Sequence, residues 1–264
     1  MCQNGGPFDV EDTMEKLISE LIRLYLLPGS PAAQALTQRG EGRACAPVDL
    51  TSDGVTRAIV LPFRRAAGED AHHWDRLCTV ANALQAEFGF PAPAVSVASA
   101  GGYVLWLSLA MPIPLADVRR FVDGLARLWP DTLPPADAVV GAPVELPPCL
   151  DAATGRWAAF IHPGMGASFA DESGLEMAPP APGQVAFLDG LESIGAEQFQ
   201  AALARLTATA APAPVRAAAA SAPRDGGAPD GLLLKDATLD DIVRHLHARN
   251  IEPTFRFLVD QAPR

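Results

Sequence analysis

Lysine is almost missing from this chain: Lys16 and Lys235 are the only two, and every other basic residue is arginine. Together with the abundance of alanine, glycine and proline, that imbalance reads as the coding bias of a GC-rich genome and carries no chemistry. Cysteine is sparse and scattered. Cys2, Cys45, Cys78 and Cys149 make no CxxC pair, which excludes a zinc half-site and a compact disulfide framework, so four free thiols are expected. No apolar run approaches the roughly 18–20 residues that cross a bilayer, and the N-terminus lacks a basic-then-apolar leader, so the expectation is a cytoplasmic protein with no membrane partner. Positive charge is also short: 20 basic against 31 acidic residues leave a net charge of −11. Residues 207–230 and 231–264 are each balanced, so the first 206 residues carry all of that excess. Such a body repels polyphosphate, and broad binding to duplex nucleic acid is disfavoured unless a local basic stripe outweighs the mean field.

Several catalytic signatures are missing as well. There is no GxSxG and no Ser/His/Asp or Cys/His signature, which leaves nucleophilic catalysis unsupported. The glycine-rich run His162-Pro163-Gly164-Met165-Gly166-Ala167-Ser168 lacks the lysine of a phosphate-binding loop and is more simply a plain loop. His72, His73, Asp75 and Cys78 offer metal-capable atoms, but partner ligands are wanting. The plainer reading is a solvated helix start with a buried thiol. His245 and His247 are two apart and point to different faces of a helix.

What is present is periodicity. Val10, Met14, Leu17, Ile18, Leu21, Leu24 and Tyr25 recur at helical spacing, with Asp9 as a candidate cap and Pro28-Gly29 as the stop. Residues 29–47 read as loop. Val55–Leu61 reads as a buried strand ended by Pro62, and Trp74, Leu77, Cys78, Ala81, Leu84 and Phe88 make one face of a helix that Gly89 terminates. Ala94–Ser99 and Tyr103–Ala110 are strands of a hairpin turning at Ala100-Gly101-Gly102, the second ended by Pro112 and Pro114. Val118, Phe121, Val122, Leu125 and Leu128 give another packed helix. Residues 139–146 and 156–161 suggest two short strands, and 183–206 two helical stretches around Gly195.

Residues 207–230 include ten alanines and four prolines with almost no large apolar side chain, so they read as a linker. Beyond it Leu239, Ile242, Val243 and Leu246 form the apolar stripe of a short helix that opens on a Thr238/Asp241 capping box, a candidate surface for a protein partner. The fold class is therefore α+β. A small mixed sheet has helices packed on one face, with an N-terminal helix and loop (1–47), a main domain (48–206), a linker (207–230) and a helical tail (231–264).

Two aromatics stand in the returning hairpin strand. Tyr103 and Trp106 lie three apart and so on opposite faces, and either ring offers a base-stacking platform. From residue type alone the plainer reading puts Trp106 in the core and Tyr103 at a half-exposed edge. Arg57, Arg64 and Arg65 lie on or beside the preceding strand and Arg119, Arg120 and Arg127 on the following helix, a candidate basic stripe.

Around this hairpin the sequence resembles the archaeo-eukaryotic primase superfamily, especially the primase-like domains of bacterial plasmids, integrating elements and conflict systems. The matching words are Ser99-Ala100-Gly101-Gly102-Tyr103-Val104-Leu105-Trp106, then Pro112-Ile113-Pro114. Downstream, Leu146-Pro147-Pro148, Thr154-Gly155-Arg156-Trp157, Ala159-Phe160-Ile161 and Gln184 through Leu188 are similar to later stretches of those domains, so the resemblance spans about residues 48–205. It implies nucleotidyl transfer by two metals held on an Asp-x-Asp/Glu pair. The matching strand, Ala58-Ile59-Val60-Leu61-Pro62-Phe63, has no carboxylate, and Val104 stands nearest to the family's nucleotide-binding histidine.

The resemblance thus implies a degenerate site with no catalytic residue, metal or cofactor. What it leaves is an accessory protein of DNA replication or a mobile element that binds single-stranded DNA through Tyr103, Trp106, Arg57, Arg64, Arg65, Arg119 and Arg120. In that reading the tail recruits a replication or mobile-element protein. The rival is an adaptor without nucleic-acid affinity that docks through its N-terminal helix or its tail stripe. A third reading keeps an enzyme, with Asp49, Asp53 or Asp137 as metal ligands.

Overall fold

The structure, a computed structural model, describes residues 7–38, 46–64, 72–130, 132–170 and 174–210. The expected tail with Leu239, Ile242, Val243 and Leu246, most of the expected linker, Arg65, Cys2 and Cys45 lie outside the described residues.

The sheet is built from β1 (Thr51–Ser52), β2 (Val55–Phe63), β3 (Ala94–Val97), β4 (Tyr103–Pro114), β5 (Cys149–Asp151) and β6 (Arg156–Ile161) in the order β1-β2-β4-β3-β6-β5, every neighbouring pair antiparallel. A single parallel bridge, Leu109 to Ile194, is the mixed element. The pairing centres on β2 and β4, in register from Ala58 opposite Ser108 to Phe63 opposite Tyr103. β1 and β2 are joined at Asp53-Gly54, both at positive φ (52° and 74°), the conformation that a tight hairpin demands.

The α+β class is as expected, but helices cover both faces rather than one. On one face α3 (His73–Phe88), α4 (Leu115–Leu128), α5 (Ala136–Val139) and α7 (Ala196–Ala210) bury Leu77, Leu84, Phe121, Leu125 and Phe199 against Leu61, Leu105 and Leu107. On the other, α1 (Pro7–Tyr25), α2 (Pro31–Gln38) and α6 (Ala181–Asp189) bury Leu17, Leu21, Leu24 and Leu188 against Ala58, Trp106 and Phe160. The N-terminal helix is therefore part of the body. Its apolar stripe is spent on the sheet and is not open for a partner groove.

Other expectations shift at boundaries. The stretch 29–47 holds α2, where Pro31 stands at the first helical position and Ser30 Oγ accepts the N–H of Ala33 at 3.2 Å. β2 continues through Pro62 and β4 through Pro112 and Pro114, because each of these prolines lies where one side of its strand has no strand partner among the described residues. No strand covers 139–146; α5 reaches Val139, and only Val144 pairs, in an isolated bridge with Val48. The strand lies later, at β5. α7 runs to Ala210, inside the expected linker, since alanine favours helix wherever it is not interrupted. Cys149 is disulfide-bonded, which corrects the reading of four free thiols, while Cys78 is free, half-buried, and pushed up in pKa by burial and then by Asp75.

Two helical glycines respond oppositely to a methyl group. At Gly124 in α4 an added Cβ would stand 2.7 Å from the Cβ of Leu206 on α7, whereas at Gly183 in α6 it would meet nothing within 4 Å. Gly124→Ala is expected to cost about 1–3 kcal/mol through this overpacking, and Gly183→Ala to add a few tenths to about 1 kcal/mol, both read from urea unfolding.

Tyr25 is buried against Trp106 and Phe160, at ring-centroid distances of 5.2 and 5.9 Å. Burial pushes its phenol far above the ordinary range, against a smaller opposing pull from Arg23. The fold thus favours the protonated phenol. Its contribution to stability is complete below about pH 10, the ordinary tyrosine value, and declines as pH rises beyond it. Urea midpoints measured upward from pH 9 should fall above pH 10, and Tyr25→Phe should flatten that part of the fall.

Candidate functional site: a cleft on the sheet

A cleft of about 500 Å³ opens over the sheet face that carries Trp106. Its floor is Val60 and Pro62 of β2, Val104 and Trp106 of β4, Ser96 of β3 and Ala158 of β6. Its wall is the segment from Ala142 to Pro147, held to the body by Val48, whose N–H donates to the Val144 carbonyl and whose carbonyl accepts the Val144 N–H, at 2.8 and 2.9 Å. At its rim stand Arg64 and the hairpin turn. No residue of α1, α2 or α6 lines it among the described residues. A cavity of this size with an apolar floor and few polar groups is the ordinary form of a small-ligand site.

The turn is shaped by its glycines. Gly101 and Gly102 have φ of 92° and 84°, and a Cβ on Gly102 would come within 2.7 Å of the Phe63 carbonyl oxygen, so the turn presses directly on the end of β2 beside Arg64. Ser99, just before it, donates its Oγ–H to Glu145 Oε1 at 2.8 Å and its N–H to Oε2 at 3.3 Å. Those two bonds tie the turn to the wall across the cleft.

The aromatic candidates are core residues. Trp106 is 2% exposed, and its indole N–H donates to Ser96 Oγ at 2.8 Å. Tyr103 is 1% exposed, its ring 4.9 Å from Trp74 and 5.1 Å from His73, and its hydroxyl donates to the Gly166 carbonyl. Both residues line the cleft, yet neither ring stands clear of the core as a stacking platform, because β4 is covered on both faces.

The arginines do not form one stripe. Arg64 is exposed at the cleft rim. Arg57, at the opposite end of β2, donates to the carbonyls of Leu109 and Ala110 at 3.2 and 3.3 Å. Burial, and then Arg23, lower its pKa. On the exposed side of α4, Arg120 pairs with Asp117 at 2.6 Å, and Arg119 lies 3.8 Å from Asp137, whose next two residues line the cleft.

The metal-capable groups are similarly occupied or apart. Asp49 Oδ1 accepts the N–H and Oγ–H of Thr51 at 2.9 and 2.7 Å, Asp53 sits in the β1–β2 turn, and no group of three His, Cys, Asp or Glu could share an ion among the described residues. His73, expected in a solvated helix start, is 2% exposed. The glycine-rich run is a 3-10 helix, Pro163–Phe169, capped by His162 Nδ1 on the N–H of Gly164 at 3.1 Å, and a Cβ at Gly166 would collide with the Trp74 ring. That run is a packing element.

Glu145 belongs to the site without any signal of its own in the sequence. It stands in the Val144-Glu145-Leu146-Pro147 word, one residue before the Leu-Pro-Pro stretch of the family resemblance, and only the fold brings it to Ser99.

No protein-family model and no curated protein matches the chain. Among solved structures the chain is similar to the AEP domain of the primase-polymerase of cyanophage S-2L, with 15% identity and a TM-score of 0.33, over 61% of this chain and 97% of that one. A likeness of that degree fixes neither fold nor function; the geometry of the cleft is the firmer ground.

Ser96→Ala would leave the Trp106 indole N–H without its partner. It is expected to cost about 1–3 kcal/mol, seen as a lower urea midpoint at unchanged slope.

Proposed function

We propose that this protein is a primase-like accessory protein without polymerising chemistry, and that it binds single-stranded nucleic acid by taking an unstacked base into the cleft. The observation that carries the reading is the cleft itself: a cavity of about 500 Å³ whose floor presents Val60, Pro62 and Val104 and whose rim carries Arg64. In the resembled family the strand of Val60 and Pro62 supplies metal-binding carboxylates and the position of Val104 a phosphate-binding histidine. Here those side chains are apolar. Such a floor suits the face of a base and offers nothing to a metal-bound triphosphate. The backbone of a single strand would run past the rim, with a phosphate at Arg64. The contact is then the cleft and not an exposed aromatic platform, and it is compatible with an acidic body because it needs one well-placed cation rather than a basic field.

Fluorescence anisotropy of a labelled single-stranded oligonucleotide, at low and moderate salt and with and without magnesium, tests it. Binding should weaken with salt and ignore the metal, and Arg64→Ala should weaken it and lower the salt slope by about one. Primer extension in magnesium would contradict the loss of chemistry and return attention to Asp49, Asp53 and Asp137. Absence of binding even at low salt would sink the single-strand reading and leave the adaptor, with residues 231–264 as its docking segment.

A further inference from the structure

Glu145 is the one acidic group lining the cleft among the described residues. It is held, not loose: both of its oxygens accept from the same residue, through the hydroxyl and the backbone N–H of Ser99. Ser99 is 1% exposed, and the chain after it is fixed by the bonds of the hairpin turn, Gly101 N–H to the Ala98 carbonyl at 3.0 Å and Ala98 N–H to the Gly102 carbonyl at 3.1 Å. An ionised carboxylate offers about four acceptor positions and no donor. Ser99 takes two of them, and the remainder can only accept. Below lie Val60, Pro62 and Val104, which are apolar, and the floor's hydroxyl, that of Ser96, already accepts the Trp106 indole N–H at 2.8 Å.

We propose that Glu145 is a base-selecting residue, favouring a nucleobase whose edge carries an exocyclic amino group over thymine or uracil. The proposal rests on the reading that the cleft takes an unstacked base. Cytosine brings an amino group that donates to a carboxylate, whereas thymine brings a carbonyl oxygen to the same place, so two acceptors meet with no proton between them. The carboxylate then stays desolvated and unrewarded. A site built to receive a donor rejects the analogue lacking it more strongly than an apolar pocket rejects a change of shape.

The test compares labelled oligo(dC) and oligo(dT) by anisotropy at mildly basic pH, where oligo(dC) stays unpaired. The wild-type protein is expected to bind oligo(dC) at least about fivefold more tightly. Glu145→Gln, of equal length and able both to donate and to accept, should bring the ratio to about one. Ser99→Ala, which removes the hydroxyl bond and leaves only the longer backbone N–H bond to hold the carboxylate, should shrink the ratio while leaving the charge in place. Equal wild-type affinities, or a preference for oligo(dT), overturn the assignment and leave single-strand binding standing. So does a Glu145→Gln protein that binds both more weakly at an unchanged ratio, since that is the mark of a structural role alone. Binding of neither oligonucleotide removes the single-strand reading and this assignment with it.

Discussion

Everything in the body hangs on one strand that is buried on both sides. Along β4, Tyr103, Leu105, Leu107 and Leu109 point to the core under α3, α4 and α7, while Trp106 points to the core under α1 and α6. A strand in that position must be apolar at consecutive residues, because alternation exposes no face to water. Its polar exceptions are therefore all committed. Ser108 donates to the Leu24 carbonyl at 2.7 Å and lies 2.6 Å from Ser193 Oγ, tying the strand to the end of α1 and to the approach to α7. Trp106, through Ser96, ties it to β3.

That double burial explains which parts of the fold are legible in the sequence. The helices over 73–88 and 115–128 and the hairpin that they flank rest on strong periodicity, and Gly89 does end the first helix in the left-handed conformation, at φ 66°. The second face has no such local signature. Leu17, Leu21 and Leu24 form an obvious stripe, but nothing local says that their partner is Trp106 and Phe160, far along the chain. Ser30-Pro31 and Asp53-Gly54 are local signals, a helix start and a tight turn, that a reading of 29–47 as loop and of a strand from Val55 passes over, whereas the displacement of the expected strand from 139–146 to β5 is a tertiary outcome that no window of the sequence contains.

The candidate site was legible as a location and not as a set of groups. The glycine turn and the strand without carboxylates single out the strands over which the cleft opens, but not the face of the hairpin on which it opens. For Tyr103 and Trp106 the sequence offers only residue type, which cannot distinguish a platform from a core ring. Glu145 was invisible for the opposite reason: a lone glutamate before a proline pair carries no pattern, and its meaning arises only when Ser99 offers it two donors. On the proposed reading, an acidic protein with an apolar cleft discriminates by the placement of a few groups, because its mean field works against any polyanion.

Pro62 has a further bearing on how the protein behaves in a crowded solution. Beyond Thr56, β2 has no strand neighbour on its outer side among the described residues, and a strand edge is where another chain would add itself. A proline near the end of that edge removes a donor, interrupting the ladder that an incoming strand would need. A residue that floors the cleft thus also makes this stretch of β2 a poorer template for a further strand.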